Sequence, residues 1–180
     1  MDLIIRPTLK GLKAEGAPFV GVLFAGLMIG PAGPKLIEYN VRFGDPECQT
    51  LLPLLGSDLL ELFHAAAQGR LKEAPAPIWL PGASATVVLA AQGYPDSPLT
   101  GSLLRGVAAA AQEPGVQIFH AGTRRDEDGQ LRAAGGRVLN VNAVGGTLSE
   151  ALARAYAAVD RIDWPGGFHR RDIGWRALRG

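Results

Sequence analysis

Only one cysteine, Cys48, occurs in the 180 residues. That excludes an internal disulfide and any zinc site built from several thiolates. The three histidines, His64, His120 and His169, stand far apart and lack His-x-x-x-His spacing, a weak basis for a histidine metal centre. Neither charge sign dominates: 18 basic residues meet 17 acidic ones, for a formal net charge of +1. This balance leaves no electrostatic footprint for nucleic acid or a membrane surface. The longest apolar run, Phe19 to Ile29, is too short to span a bilayer and is broken by glycines. Asp2 follows Met1, and no basic n-region or small-residue cleavage site comes after it, which argues against a signal peptide. A soluble, cytoplasmic protein is expected. No Gly-x-x-x-x-Gly-Lys-Ser/Thr or Gly-x-Gly-x-x-Gly phosphate loop is present, and Lys10, Lys13, Lys35 and Lys72 all lie outside glycine-rich loops. Ser97, Ser102 and Ser149 have no nucleophile-elbow context.

What is present suffices for a core: 47% of the residues are apolar, enough for one large domain or two small lobes. Residues 2–15 read as a helix with Ile5, Thr8, Leu9 and Leu12 on one face and Gly16 as its stop. Phe19–Gly30 and Lys35–Phe43 read as an antiparallel pair joined by Pro31-Ala32-Gly33-Pro34. A helix is expected from about Pro46, faltering at Pro53, and another from Ser57 to Gln68 with Gly69 as terminator. The Pro-rich stretch Ala74-Pro75-Ala76-Pro77 marks the expected boundary between residues 1–73 and 74–180. Beyond it short strands follow: Ser84–Ala91, Val116–Ala121, Leu131–Arg132 and Arg137–Ala143, with a charged hairpin tip at residues 124–130. Thr147-Leu148-Ser149-Glu150 is a capping box that opens a closing helix to about Ile162. The fold class expected is α+β.

The densest chemistry lies in residues 35–49. Side chains alternate along a strand, so Glu38, Asn40 and Arg42 should project one way, successive members roughly 6–7 Å apart. The other face, Ile37, Tyr39, Val41 and Phe43, suits burial. A carboxylate and an amide oxygen fit a hard divalent cation, which takes one or two protein carboxylates plus substrate phosphate oxygens. Arg42, a charged fork, suits a phosphate or carboxylate. A solvated strand face with an incidental Glu–Arg pair explains the same spacing. Asp45-Pro46-Glu47 reads as an N-cap, a proline at the first helical position and an acid in the first turn. The free N–H groups of that helix start would lie beside the metal site.

The run Glu38-Tyr39-Asn40-Val41-Arg42-Phe43-Gly44-Asp45-Pro46-Glu47, with Gln49, resembles the signature of the phosphoribosylamine–glycine ligase family of the ATP-grasp superfamily. Further strings resemble family sequence in family order, among them Gly93-Tyr94-Pro95, Phe119-His120-Ala121-Gly122-Thr123, Gly135-Gly136-Arg137-Val138-Leu139 and Asp172-Ile173-Gly174-Trp175-Arg176. The resemblance implies the C-terminal half of an ATP-grasp fold in residues 1–73 and a small strand-rich lobe closed by one helix in 74–180. It implies that Glu38 and Asn40 hold Mg²⁺ (or Mn²⁺), that Arg42 steadies an acyl-phosphate, and that Gly44, Asp45 and Glu47 lie on the substrate side. ATP is then the cosubstrate that activates glycine as glycyl phosphate for capture by 5-phosphoribosylamine in purine synthesis. The strand Phe19–Gly30 carries no acid, so any second carboxylate for the metal comes from elsewhere.

The resemblance covers only the C-terminal part of the family enzyme. The expectation is therefore a fragment, inactive alone, that needs the N-terminal ligase portion or self-association to cover an apolar patch at residues 2–43. The alternative is a non-catalytic paralogue or truncated product serving as a binding or assembly module. A carboxylase-type carrier module is discounted because no lysine stands at a hairpin tip. His120 is explained by a structural hydrogen bond at its turn, with a substrate-side wall as the other option. For Gly135-Gly136-Arg137 a tight turn competes with a phosphate approach. Trp164, Phe168 and Trp175 read as packing of the tail.

Overall fold

The computed structural model describes residues 1–179. They group into two compact units, Met1–Glu47 with Leu55–Ile78, and Cys48–Leu54 with the chain from Trp79 onward. Among the described residues no helix is long and apolar enough to cross a membrane.

In the first unit α1 spans Ile5–Ala14. It ends where Gly16, at φ +79°, lets Ala17 N–H reach the Leu12 carbonyl and Gly16 N–H that of Lys13. These are the paired bonds of a Schellman stop. Strands β1 (Phe24–Gly30) and β2 (Gly33–Asn40) form an antiparallel hairpin. Helix α3, Leu59–Ala67, starts on Asp58, whose carboxylate accepts the Leu60 N–H at 2.8 Å. Its Schellman stop is at Gly69, with Arg70 N–H on the Ala65 carbonyl. The Phe43 and Phe63 rings pack 6.0 Å apart. Between β2 and α3 in sequence, α2 is only Glu47–Leu51, tightening into a 3₁₀ turn at Leu52–Leu54 where Pro53 removes a donor.

Two expectations about the hairpin are corrected. Strand β1 begins at Phe24 rather than Phe19, because its partner ends at Asn40, opposite Phe24. The face expected to be buried is also half open: Tyr39 and Phe43 are partly covered, but Ile37 is 63% exposed and Val41 72%. A bulge is one cause, since Gly26 pairs with Glu38 and Leu27 with Leu36, leaving Ile37 as the extra residue. The other is that pairing stops before Val41 and Arg42, so the period of two no longer dictates their direction.

The second unit is built on a four-stranded antiparallel sheet in the order β4-β7-β3-β8: Val116–His120, Arg137–Gly145, Ala83–Ala91 and Gly167–Phe168. A short helix α4 (Val107–Ala110) precedes β4, and β5 (Thr123–Arg125) pairs with β6 (Leu131–Ala133) as a hairpin. Helix α5, Leu148–Val159, packs on one face, closing a core that includes Val87, Leu89, Leu139, Val141, Ala155, Val159 and Trp164. A last turn of helix, α6, is Trp175–Leu178. The Thr147 hydroxyl accepts the Glu150 N–H, while the Glu150 carboxylate reaches one residue further back than a standard capping box, to Gly146 N–H at 2.7 Å. Buried Trp164 donates to Ser102 Oγ at 2.8 Å, and a side chain at Gly167 would collide with its ring. Packing, as expected, accounts for Trp164; Phe168 is exposed, and Trp175, also exposed, has the Arg176 and Arg179 guanidinium groups over its ring.

The other sheet face carries Asn140 and Asn142, both fully buried. The Asn142 amide donates to Ser84 Oγ (2.8 Å), Thr86 Oγ1 (3.0 Å) and the Ala85 carbonyl (3.2 Å), and Thr50 donates to Thr86 at 2.7 Å. This ladder fixes the segment Cys48–Leu54 against β3. Such partners offset the hydration that the Asn142 amide nitrogen loses, whereas the side-chain oxygens of Asn140 and Asn142, also buried, have no hydrogen-bond partner among the described residues.

The tail returns over α5 through Tyr156, whose hydroxyl donates to the Arg170 carbonyl (2.9 Å) and accepts the Ile173 N–H (3.2 Å). His169 lies against the Tyr156 ring, and burial, helped by the Arg171 charge and opposed by Asp160, pushes its pKa below the usual 6.5. The unfolded chain therefore binds more protons than the folded one just below pH 6.5, and stability falls as pH drops through that range. His169→Gln is expected to flatten the stability slope between pH 7 and 5.5, measured by urea unfolding. An unchanged slope would assign it to other groups.

Candidate functional site

The hairpin brings two of the six candidate residues into contact. Asn40 Nδ2 donates to Glu38 Oε1 at 3.1 Å, both on one face of β2. Opposite Glu38 stands Gly26, where an added Cβ would lie 3.1 Å from Glu38 Cγ. A larger residue there would press on the carboxylate, so the glycine keeps space for Glu38. Beneath the pair, Tyr39 points the other way and anchors α1: its hydroxyl is 2.6 Å from Thr8 Oγ1 and donates to the Ile4 carbonyl at 3.3 Å. Sequence reasoning placed Tyr39 on the covered face but had no means of naming Thr8 as its partner, 31 residues away.

Arg42 lies past the paired strand, exposed, with Nη1 on the Phe43 carbonyl at 2.7 Å. Because β2 ends at Asn40, strand alternation does not fix the direction of Arg42. Gly44 is buried. A Cβ on it would overlap the Glu47 side chain, at 2.8 Å from Cδ, so the glycine permits Glu47 to fold back over the backbone. The Asp45–Pro46 peptide is cis and occupies a turn, and α2 starts one residue later, at Glu47. Pro46 is therefore not the first helical residue, a correction to the expected cap. The five-residue helix also offers much less of an anion-binding end than a long one, because few aligned peptide dipoles add there.

The Glu38–Asn40 pair is a hard-oxygen donor set. Among the described residues no group of three or more His, Cys, Asp or Glu side chains is placed to hold a metal. Two protein ligands with the remaining positions left to water and phosphate suit Mg²⁺, which dehydrates reluctantly. The residues present thus fit that ion. Further along the unit an apolar cavity of about 550 Å³ is lined by Val20, Phe43, Leu62, Phe63, Leu71 and Pro77.

Of the other residues weighed in sequence, His120 does make the turn contact, its Nδ1 3.0 Å from Thr123 Oγ1. Gly135 and Gly122 are in backbone contact, and a Cβ on Gly136 would strike the Tyr94 ring. Close packing of turns explains these glycines.

Two family models match the chain: phosphoribosylglycinamide synthetase, C domain, over residues 84–176, and the ATP-grasp (A) domain of the same synthetase over residues 1–48. The phosphoribosylamine–glycine ligase of Mesorhizobium japonicum is 61% identical over 178 residues, which are 99% of this chain and 41% of that protein. The chloroplastic ligase of Arabidopsis thaliana is 53% identical, matching 99% of this chain and 34% of its own length. The crystal structure of the Thermotoga maritima ligase superposes with a TM-score of 0.78 at 36% identity, covering 92% of this chain and 40% of that one. At 18% identity and a TM-score of 0.62, the biotin carboxylase domain of a Hydrogenobacter thermophilus carboxylase, solved with MgADP, ADP and bicarbonate, shares the fold alone over 93% of this chain and 38% of that one. The chain spans about two-fifths of the bacterial relatives it matches, their C-terminal part. With one model covering the motif hairpin and the other more than half of the residues, the chain belongs to the phosphoribosylglycinamide synthetase family.

Proposed function

We propose that this chain supplies the metal-binding strand and C-terminal lobe of a ligase that joins glycine to 5-phosphoribosylamine at the expense of ATP. The observation that carries the reading is the Glu38–Asn40 contact opposite Gly26, inside the stretch matched to the ATP-grasp domain. Glu38 and Asn40 would hold Mg²⁺ (or Mn²⁺) through oxygen atoms. Bound there, the ion supplies charge neutralisation on the nucleotide phosphates and a fixed template for transfer. Arg42 releases the Phe43 carbonyl to grip the acyl-phosphate of activated glycine, a bidentate task suited to guanidinium. Gly44 holds the turn in which Asp45 and Glu47 face the substrate. The amine of phosphoribosylamine then displaces phosphate, leaving glycinamide ribonucleotide, ADP and phosphate. The functional division proposed is into residues 1–73 and 74–180, which the family matches ending at 48 and resuming at 84 leave room for, while the compact units differ in placing Cys48–Leu54 in the second and the break after Ile78.

Positioning supplies most of the rate in such chemistry, and the relatives' N-terminal portion carries the rest of the positioning groups. That portion is the proposed partner. The exposed apolar side chains of the hairpin, Met28, Ile29, Ile37 and Val41, support a protein surface there. The test is ATP turnover dependent on glycine and phosphoribosylamine, with this chain alone and with a relative's N-terminal portion added. Turnover only in the mixture is expected. Robust turnover by the chain alone would remove the need for a partner, and none in the mixture would overturn the ligase reading.

A further inference from the structure

A second cavity, of about 360 Å³, lies in the second unit, where α4, the edge strand β4 and the β5–β6 hairpin meet. It is at the small end of the range for small-molecule sites, roughly 300–1,000 Å³. Val107, Ile118 and Leu131 line it together with His120, Arg125 and Gln130. No carboxylate is among its lining residues, so the guanidinium sets the sign of the site.

The polar groups have donors to spare. One Arg125 nitrogen, Nη1, donates to the Gly129 carbonyl at 2.8 Å, and among the described residues no carboxylate pairs with this arginine. A guanidinium has five N–H donors in a fixed fork, so most remain for a ligand. His120 is oriented by Thr123 through Nδ1. With the hydroxyl as donor there, the ring proton sits on Nε2 and is available to an acceptor.

The hairpin that presents Arg125 and Gln130 is held in shape before any ligand arrives. Asp126 Oδ1 accepts the N–H groups of Asp128 (3.1 Å) and Gln130 (2.8 Å), and its Oδ2 pairs with Arg132 Nε at 2.5 Å. This pairing holds the Asp126 carboxyl below its usual 3.8. Leu104 N–H then binds the Leu131 carbonyl at 2.9 Å and ties the hairpin to the cavity wall. Such preorganisation lowers the entropy cost of binding.

We propose that this cavity binds a small organic anion, its carboxylate or phosphate on Arg125 and His120 and its apolar body against Val107, Ile118 and Leu131. None of these residues belongs to the motif hairpin, so the Arg125 variants test this cavity apart from the Glu38–Asn40 site.

The experiment titrates the 180-residue chain, ¹⁵N-labelled, with adenosine 5′-monophosphate, benzoate and inorganic phosphate. Saturable shifts at the amides of Val107, His120 and Gln130 are expected with at least one organic probe. Which of the two binds tells phosphate from carboxylate. Inorganic phosphate, without an apolar body, should bind about 10-fold or more weakly. Arg125→Ala should weaken the organic probe by about 10-fold or more, and Arg125→Lys by less, because it keeps the charge but not the fork. If Arg125→Ala fails to fold, the Arg125→Lys loss decides. No saturable shift at these amides, equal binding of bare phosphate, or affinity unchanged in the arginine variants would each overturn the proposal.

Discussion

Glu38→Gln is expected to lower glycine-dependent ATP turnover by about 10²–10³-fold in the ligase completed with its N-terminal portion, the scale of losing one preorganised electrostatic group. Gln has the size of Glu, and its amide oxygen still accepts from Asn40 Nδ2, now at 3.1 Å from Glu38 Oε1, so the hairpin should keep its form. What disappears is the negative charge, the component that attracts a divalent cation. The defect should therefore lessen as Mg²⁺ is raised, with the midpoint for metal displaced upward. Asn40→Ala is expected to be milder, about 10-fold, because water can replace a neutral carbonyl ligand. Turnover of the Glu38→Gln enzyme equal to wild type at every Mg²⁺ concentration would remove Glu38 from the metal site.

The largest expected stability loss is at Leu139. It lies on β7, paired with β3 on one side and β4 on the other, and no part of it is exposed. Leu139→Ala removes buried methyl groups and leaves a cavity that a sheet paired on both edges cannot collapse to fill. The cost should be about 2–5 kcal/mol. All three tryptophans, Trp79, Trp164 and Trp175, belong to the second unit, so fluorescence during urea unfolding reads that unit by itself. Leu99→Ala, at a 65% exposed position of the same unit, serves as the contrast and should change stability by less than about 0.5 kcal/mol. Equal midpoints for wild type and Leu139→Ala would contradict the packing described for β7.

The two variants separate what local pattern conveys from what it does not. Helix stops at Gly16 and Gly69 and the Thr147 cap were legible in the sequence, because each depends on a residue type and its next few neighbours. The strands β3 and β7 were legible for the same reason, as β-branched and apolar runs. The proximity of Glu38 and Asn40 was legible because a spacing of two puts side chains on one face. For Arg42 the spacing argument lapses, because pairing ends at Asn40, opposite Phe24. Ile37 was misjudged for a related reason, since one bulge in the register turned an expected core residue outward.

The sequence by itself determined the family, the α+β character, the order of the longer elements and the candidate ligands Glu38 and Asn40, all properties of short contiguous strings; the short elements α4, β8 and α6 escaped it. Only the tertiary structure decided the Tyr39–Thr8 anchor, the Asn142 ladder that fixes Thr50 to Thr86, and the cavity between α4 and the β5–β6 hairpin. Each joins residues far apart in the chain, and such pairings depend on how elements pack, which neither propensity nor periodicity encodes.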